Sequence, residues 1–204
     1  ERLVGPEMCL RDRSNDGNKR ERQLATTNIP LKAGKGHLYE GGIRVPLFVK
    51  WTNKFEPRVD NKSIVLGMDV FPTLLDIALN KKATNVDGES YADVLQGNDS
   101  WENRTVYWIS RKARPHSTGD SKAAVVRQVD YKLIQFLGTD KVELYNLKKD
   151  ISEENNLATT ETVKTKEMLQ LLKSWKKEYL VPERLNVLKR NKKNKSKKNK
   201  KRKQ

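Results

Sequence analysis

Residues 32–51, KAGKGHLYEGGIRVPLFVKW, are the stretch from which the fold of this chain is best predicted. Four glycines surround Lys35 and Glu40, and a β-branched and aromatic run follows over residues 45–50. Glycine adopts positive φ at little cost, so a glycine-rich turn lets the backbone approach a small ligand closely. Lys35, with glycine on both sides, would present a compact ammonium group to an anion. The stretch therefore predicts an anion-binding loop followed by a strand over 45–50.

Two common phosphate-binding motifs do not fit this loop. A Walker A loop requires a Ser or Thr directly after its lysine, and Gly36 follows Lys35 here. The G-x-G-x-x-G dinucleotide fingerprint is absent, and a strand rather than a helix is predicted after the loop. The remaining alternative from the residues alone is an ordinary tight loop with a hydrated lysine.

Residues 27–46, TNIPLKAGKGHLYEGGIRVP, closely resemble the stretch near the end of the catalytic domain in type I, formylglycine-dependent sulfatases. Residues 67–76, GMDVFPTLLD, resemble the helix that follows in that family, and residues 87–97 resemble its next turn and short helix. Residues 126–147 resemble strands of the sulfatase C-terminal subdomain, and residues 175–178 resemble its last helix. The resemblance is to an arylsulfatase-like C-terminal portion.

The resemblance implies an α/β fold, the alkaline-phosphatase-like sulfatase fold, of which this chain is a C-terminal fragment. A small α+β subdomain with a four-stranded antiparallel sheet and a C-terminal helix would follow. The hydrophobic pattern agrees, because it predicts four short strands and then an amphipathic helix. The predicted strands are 105–109, 123–128, 131–137 and 142–146, and the predicted helix is 160–179. Four antiparallel strands covered by one helix form a small α+β unit.

These patterns predict three parts. Residues 1–100 would form the last part of the catalytic domain, and residues 101–183 the C-terminal subdomain. Residues 184–204 would be a disordered polybasic tail with almost nothing apolar to bury. Within the first part, spacing predicts a helix over residues 68–79, with Asp69 as its N-cap.

The net charge of +16 comes mostly from the tail. Eleven of the 42 Lys and Arg residues lie in 189–204, which contain no acid, so residues 1–188 carry only +5. The tail lacks aromatic residues for base stacking and the body lacks a nucleic-acid motif, so no specific nucleic-acid partner is predicted. The tail is either a hydrated end or a segment that holds the protein near polyanions. No apolar run approaches the roughly 20 residues of a membrane span.

The resemblance implies that Lys35 is catalytic and contacts the sulfate group of the substrate. Hydrolysis of a sulfate ester needs a nucleophile, cations that balance charge on the oxygens, and an acid for the leaving group. In the family the nucleophile is formylglycine, made from the cysteine of Cys-x-Pro/Ala-x-Arg. Cys9 is followed by Leu-Arg-Asp-Arg, so Cys9 does not fit that role. The chain alone is therefore expected to be inactive.

Three more residues are substrate-binding candidates besides Lys35. His37 lies two residues after it and is either a loop residue at the pocket rim or a substrate contact. Arg114 and His116 lie in a polar loop that, in the resemblance, reaches towards the mouth of the active site. They would contact the rest of a sulfated sugar, or the loop is simply basic and hydrated. Glu40 and Arg44 are interpreted as an ion pair that holds the lysine loop.

The resemblance also implies Ca²⁺ as a cofactor, with most of its ligands outside this chain. The family has Ser-Asp-Asn-Gly-Gly at the metal, and the nearest match here is residues 14–18, Ser-Asn-Asp-Gly-Asn. Asn15 and Asp16 carry hard oxygen ligands of the kind that Ca²⁺ prefers. The transposed order leaves two interpretations, an altered metal site and an ordinary Asn/Asp/Gly turn.

The resulting prediction is a sulfuric-ester hydrolase that acts on a sulfated small molecule or glycan outside the cytoplasm. The alternative is a degenerate sulfatase-like protein or a polyanion-binding protein that uses its basic tail.

Overall fold

A computed structural model of the chain describes residues 28–98, 101, 103–111 and 120–179. The described residues form two compact units, one of residues 44–106 and one of residues 28–43 and 107–179. The elements in chain order are α1 (Glu40–Ile43), a 3-10 turn (Gly67–Asp69), α2 (Val70–Leu79), α3 (Ala92–Gln96), β1 (Thr105–Ser110), β2 (Ala123–Gln128), β3 (Tyr131–Phe136), β4 (Val142–Asn146) and α4 (Thr162–Tyr179).

The predicted four-stranded sheet is confirmed, and its strand order is β1-β2-β3-β4. β2 and β3 are antiparallel, with Gln128 opposite Tyr131, so a two-residue turn joins them. The first turn residue, Val129, has φ +53°, a conformation in which glycine is usually preferred. β3 and β4 are also antiparallel, with Tyr131 opposite Asn146. The predicted strands are confirmed, and each observed boundary lies within one residue of the predicted one.

Strand alternation gives this sheet two buried faces. One face packs against α4, and the fully buried side chains between them are Ala124, Val126, Leu133 and Leu144 from the sheet and Met168 and Leu172 from α4. The other face contributes Ala123, Val125, Ile134, Tyr145 and Leu147, against which Leu38 and Tyr39 pack. Burying one such large apolar side chain contributes about 1.5–3 kcal/mol. Residues 28–43 and α4 therefore cover opposite faces of the sheet.

α4 confirms the helix predicted over residues 160–179, with its start at Thr162. Met168 and Leu172, one turn apart, are fully buried against the sheet. Trp175 stacks on Tyr107, with ring centroids 5.0 Å apart and planes 3° from parallel. None of the helices in the described ranges has the length and apolar character that a bilayer crossing requires.

The helix predicted over 68–79 is present as α2, and Asp69 stands at its N-cap position as predicted, but not as a side-chain cap. Its side chain makes no capping hydrogen bond to α2. Instead, the buried carboxylate accepts hydrogen bonds from the Leu66 amide at 2.7 Å and the Glu89 amide at 3.0 Å. The Arg104 guanidinium also donates to both of its oxygens, at 2.5 and 2.9 Å. Asp69 therefore joins three separate stretches of its unit.

The Asp69 pairing predicts an acid-sensitive contribution to stability. Burial alone would raise the pKa of Asp69, but Arg104 and the two amides outweigh burial and lower it. A lowered pKa stabilises the fold above the unfolded value of about 4, and this contribution is lost as the pH falls through the folded value. We expect Asp69→Asn to cost about 2 kcal/mol in free energy of unfolding at neutral pH, and less at about pH 3, below the unfolded pKa.

Urea unfolding at the two pH values measures this difference. Asp87→Asn is the matched control, because Asp87 is an exposed carboxylate in the same unit. A loss of the same size at both pH values would contradict a role for the Asp69 charge.

The strand predicted over residues 45–50 is absent from the described residues, where this segment has no regular secondary structure and pairs with no strand. Its apolar side chains are open to solvent, and Phe48 is 89% exposed. The backbone of a segment without a neighbouring strand can form hydrogen bonds only with water. The composition of the segment favours a strand, but a strand exists only beside a partner.

Candidate functional site

Residues 28–43, here called the lysine loop, close on themselves through hydrogen bonds. The Gly41 amide donates to the Lys32 carbonyl at 3.0 Å. The Asn28 side-chain amide donates to the Gly41 carbonyl at 2.9 Å and to the Ala33 carbonyl at 3.3 Å. Lys35 lies between these closures, so its backbone is held by contacts on both sides.

Glycine is required at several positions of the lysine loop. Gly36 has φ +107°, which side-chain-bearing residues rarely adopt. A Cβ at Gly41 would collide with the Ala33 carbonyl oxygen, and one at Gly42 would collide with the His37 carbonyl oxygen. The two consecutive glycines therefore let the loop backbone fold back against itself.

Lys35 lies at a turn of this loop, with an exposed side chain. Within the described part of the chain, no hydrogen-bond or ion-pair partner is found for its ammonium group. His37 is partly buried, and its ring lies 6.2 Å from that of Tyr39 in a stacked arrangement. The structure thus brings Lys35 and His37 together in one loop and leaves the Lys35 charge accessible.

The charge of Glu40 is buried beside the sheet. Its side chain is 1% exposed, and Oε1 lies 2.9 Å from Nζ of Lys132, which is fully buried. Arg127 approaches Oε2 at 3.5 Å. Both cations lie on the sheet face that carries Val125 and Ile134, because side chains two residues apart share a face. Lys132 and Arg127 therefore give Glu40 a structural role, and the predicted ion pair of Glu40 with Arg44 stays a prediction.

Glu153, in the connection between β4 and α4, completes the buried cluster. Oε2 accepts a hydrogen bond from the Glu40 amide at 2.6 Å, and Oε1 lies 2.9 Å from Lys132 Nζ. Burial raises the pKa of Glu153, and the nearby Lys132 charge offsets only part of that effect. Two buried carboxylates thus share one buried ammonium, which makes the arrangement sensitive to the loss of Lys132.

A second polar group lies beside the first. The Tyr39 hydroxyl donates to Glu143 Oε2 at 2.7 Å, and the Tyr145 hydroxyl donates to the same oxygen at 3.0 Å. Burial and the Glu143 charge raise the pKa of both tyrosines. Burial alone would raise the pKa of Glu143 as well, but hydrogen bonds from Lys141 and the two tyrosines lower it. Tyr39 is therefore fixed to β4, close to the loop glycines.

Sequence reasoning missed Lys132, Arg127 and Glu153. Each lies in a stretch that was correctly predicted as a strand or a connection, but a charged residue there is usually hydrated. The position of Glu40 between an aromatic residue and two glycines could have indicated a buried ion pair, because a buried carboxylate needs a cation. The identity of that cation depends on the fold.

A family model described as "N-sulphoglucosamine sulphohydrolase, C-terminal" matches residues 33–179. The chain belongs to this sulfatase family. The match begins just before Lys35 and ends at the last residue of α4, so it includes most of the lysine loop and the whole sheet.

Individual sulfatases show the same likeness. A sulfatase of Formosa agariphila is 33% identical over 142 residues, which cover 65% of this chain and 26% of that protein. The N-acetylglucosamine-6-O-sulfatase of Bacteroides thetaiotaomicron is 28% identical over 71% of this chain and 27% of its own length. The crystal structure of Ps i-CgsB superposes with a TM-score of 0.60 at 25% identity, over 73% of this chain and 32% of that one.

The chain spans about a quarter of the length of these two curated sulfatases. It corresponds to the C-terminal portion of a sulfatase, as the lysine-loop resemblance predicts.

The other predicted site residues of this sulfatase chain lie outside the described residues. Asn15 and Asp16 lie before residue 28, and Arg114 and His116 lie between residues 112 and 119. Among the described residues, no group of three or more His, Cys, Asp or Glu side chains is arranged to hold a metal ion. The carboxylates of Glu40 and Glu153 both contact the Lys132 ammonium, so they are already paired with a cation. The described residues therefore do not fit a Ca²⁺ site.

Proposed function

We propose that this chain forms the C-terminal part of a sulfuric-ester hydrolase and supplies the lysine that binds the sulfate group. The observation that carries the proposal is the lysine loop, in which a closed, glycine-dependent backbone presents the exposed ammonium of Lys35. Membership of the sulfatase family supports the same role.

Lys35 would act on the charge of the sulfate group. A unit positive charge about 4 Å from a sulfate oxygen contributes about 4 kcal/mol at the effective dielectric of a protein surface. Such a charge accelerates the reaction to the extent that it interacts more strongly with the transition state than with the bound ester. Because the loop is fixed before substrate arrives, little reorganisation is needed when the ester binds.

The proposed substrate is a sulfated carbohydrate. Two similar proteins, an N-acetylglucosamine-6-O-sulfatase and an ulvan-active sulfatase, support this class of substrate. His37 shares the loop with Lys35 and is proposed to lie at the rim of the substrate site. Arg114 and His116 are proposed to contact the sugar.

In this proposal, residues outside the described part of the chain supply the nucleophile and most of the metal ligands. The family resemblance suggests a formylglycine and a Ca²⁺ ion, and the described residues fit neither group. Asn15 and Asp16 remain proposed as minor contributors to the metal site. An extracytoplasmic location is proposed on the same resemblance.

Sulfate release from a 6-O-sulfated amino sugar tests the function. The sample is the intact polypeptide that contains this chain together with the nucleophile-bearing region. We expect release from the sulfated sugar and none from the same sugar lacking sulfate. Retained binding without release would instead support the alternative, a degenerate sulfatase-like protein that binds polyanions.

A further inference from the structure

Two residues of the lysine loop, one on each side of Lys35, are held by the same residue. Lys32 lies three residues before Lys35, and its Nζ donates a hydrogen bond to the Glu153 carbonyl at 2.7 Å. Glu40 lies five residues after Lys35, and its backbone amide donates a hydrogen bond to Glu153 Oε2 at 2.6 Å. Glu153 thus contacts the loop through its backbone and through its side chain.

We propose that Glu153 is a positioning residue for Lys35, so that the connection between β4 and α4 sets the geometry of the sulfate-binding lysine. The proposal rests on the proposed function, because it concerns how that lysine is held. Glu153 does not touch the substrate in this proposal; it acts through Lys32 and Glu40.

The environment of Glu153 supports a specific role. The residue is fully buried. Its carboxylate forms an ion pair with the Lys132 ammonium and accepts a hydrogen bond from the Glu40 amide. Its backbone has φ +54°, a left-handed conformation that costs energy for a residue with a Cβ. A turn that needed only this backbone would favour glycine. The side chain therefore offsets the backbone cost through its contacts.

The Lys32 contact is also well defined. Its ammonium lies 4.6 Å from the centre of the Tyr39 ring and 5.2 Å from that of Tyr145. It also donates to the Tyr145 hydroxyl at 3.3 Å. Lys32 is therefore held in one place from which the Glu153 carbonyl is within reach.

Three substitutions separate a positioning role from a turn role. Glu153→Gly suits the left-handed backbone and keeps the carbonyl for Lys32, but removes both side-chain contacts. Glu153→Gln keeps an oxygen that can accept from the Glu40 amide. Glu154→Gly is the matched control, because Glu154 is the exposed neighbour.

Hydrogen exchange on the 204-residue chain measures loop order without any activity. The Gly41 and Gly42 amides form hydrogen bonds within the loop. We expect both to exchange at least about tenfold faster in Glu153→Gly, with Glu153→Gln intermediate and Glu154→Gly unchanged. The amides of β3 should stay protected throughout. Equal or better protection in Glu153→Gly than in Glu153→Gln would overturn the proposal, and so would loss of protection in β3, which would make Glu153 a support of the whole sheet.

Kinetics of the intact polypeptide link this order to the reaction. We expect kcat/KM for a sulfate ester to fall at least about tenfold in Glu153→Gly and less in Glu153→Gln. Unchanged kcat/KM despite a disordered loop would overturn the positioning role. Lys35 substitutions that leave the rate of hydrolysis unchanged would instead count against the proposed function and leave the exchange result standing.

Discussion

In the Lys132→Met variant, we expect the free energy of unfolding to fall by about 3–5 kcal/mol. Methionine keeps an unbranched apolar side chain of similar length but removes the ammonium. The carboxylates of Glu40 and Glu153, 1% and 0% exposed, would then share no buried cation. Arg127 would remain beside Glu40 at 3.5 Å and would offset only part of the loss.

Chemical denaturation of the 204-residue chain provides the measurement. Lys173→Met is the matched control, because Lys173 is exposed on α4 and the same substitution there should change stability by at most about 0.5 kcal/mol. A Lys132→Met loss below about 1 kcal/mol would show that the buried cluster contributes little.

The pH dependence gives the Lys132 result a second check. Burial already raises the pKa of Glu153, and without the Lys132 ammonium this pKa should be higher still, because burial disfavours the charged form. A raised carboxyl pKa in the folded state means that the destabilisation is full above that pKa and decreases as the pH falls through it. The variant should therefore approach the wild-type stability in mild acid.

Lys35→Ala should lower kcat for sulfate-ester hydrolysis by at least about a hundredfold in the intact polypeptide. The substitution removes a charge that the loop holds in the open, with no partner among the described residues to take its place. The fold should not change, since the side chain is exposed and packs against nothing that the sheet needs.

Steady-state kinetics with a sulfated sugar test this prediction. Lys148→Ala is the control, because Lys148 is an exposed lysine in the same compact unit. A decrease in kcat smaller than about threefold would remove Lys35 from the sulfate site. A large increase in KM at constant kcat would mean that Lys35 binds the ester and its transition state equally.

Local patterns in this chain were sufficient to predict most of its secondary structure. Alternating and β-branched residues predicted β2 and β4 with their observed boundaries, and the spacing of Met168 and Leu172 predicted α4. The two glycines after Glu40 were part of the motif that led to the family. Each of these features depends on residues within one turn or one strand of each other. The local sequence was therefore sufficient to predict them.

Local patterns failed where a side chain or a backbone segment needed a distant partner. Residues 45–50 have the composition of a strand, but the described residues contain no strand beside them. Asp69 stands where a helix cap is expected, yet Arg104, 35 positions away, binds its carboxylate instead.

The sequence by itself determined the family, the four strands, the long helix and the lysine between glycines. Only the tertiary structure decided that Lys132 and Glu153 meet Glu40 of the lysine loop. The reason is that a charged side chain in a strand or a connection has the same local pattern whether it faces water or an opposite charge. Burial depends on which elements pack together, and here the lysine loop packs over a sheet that begins more than sixty residues later.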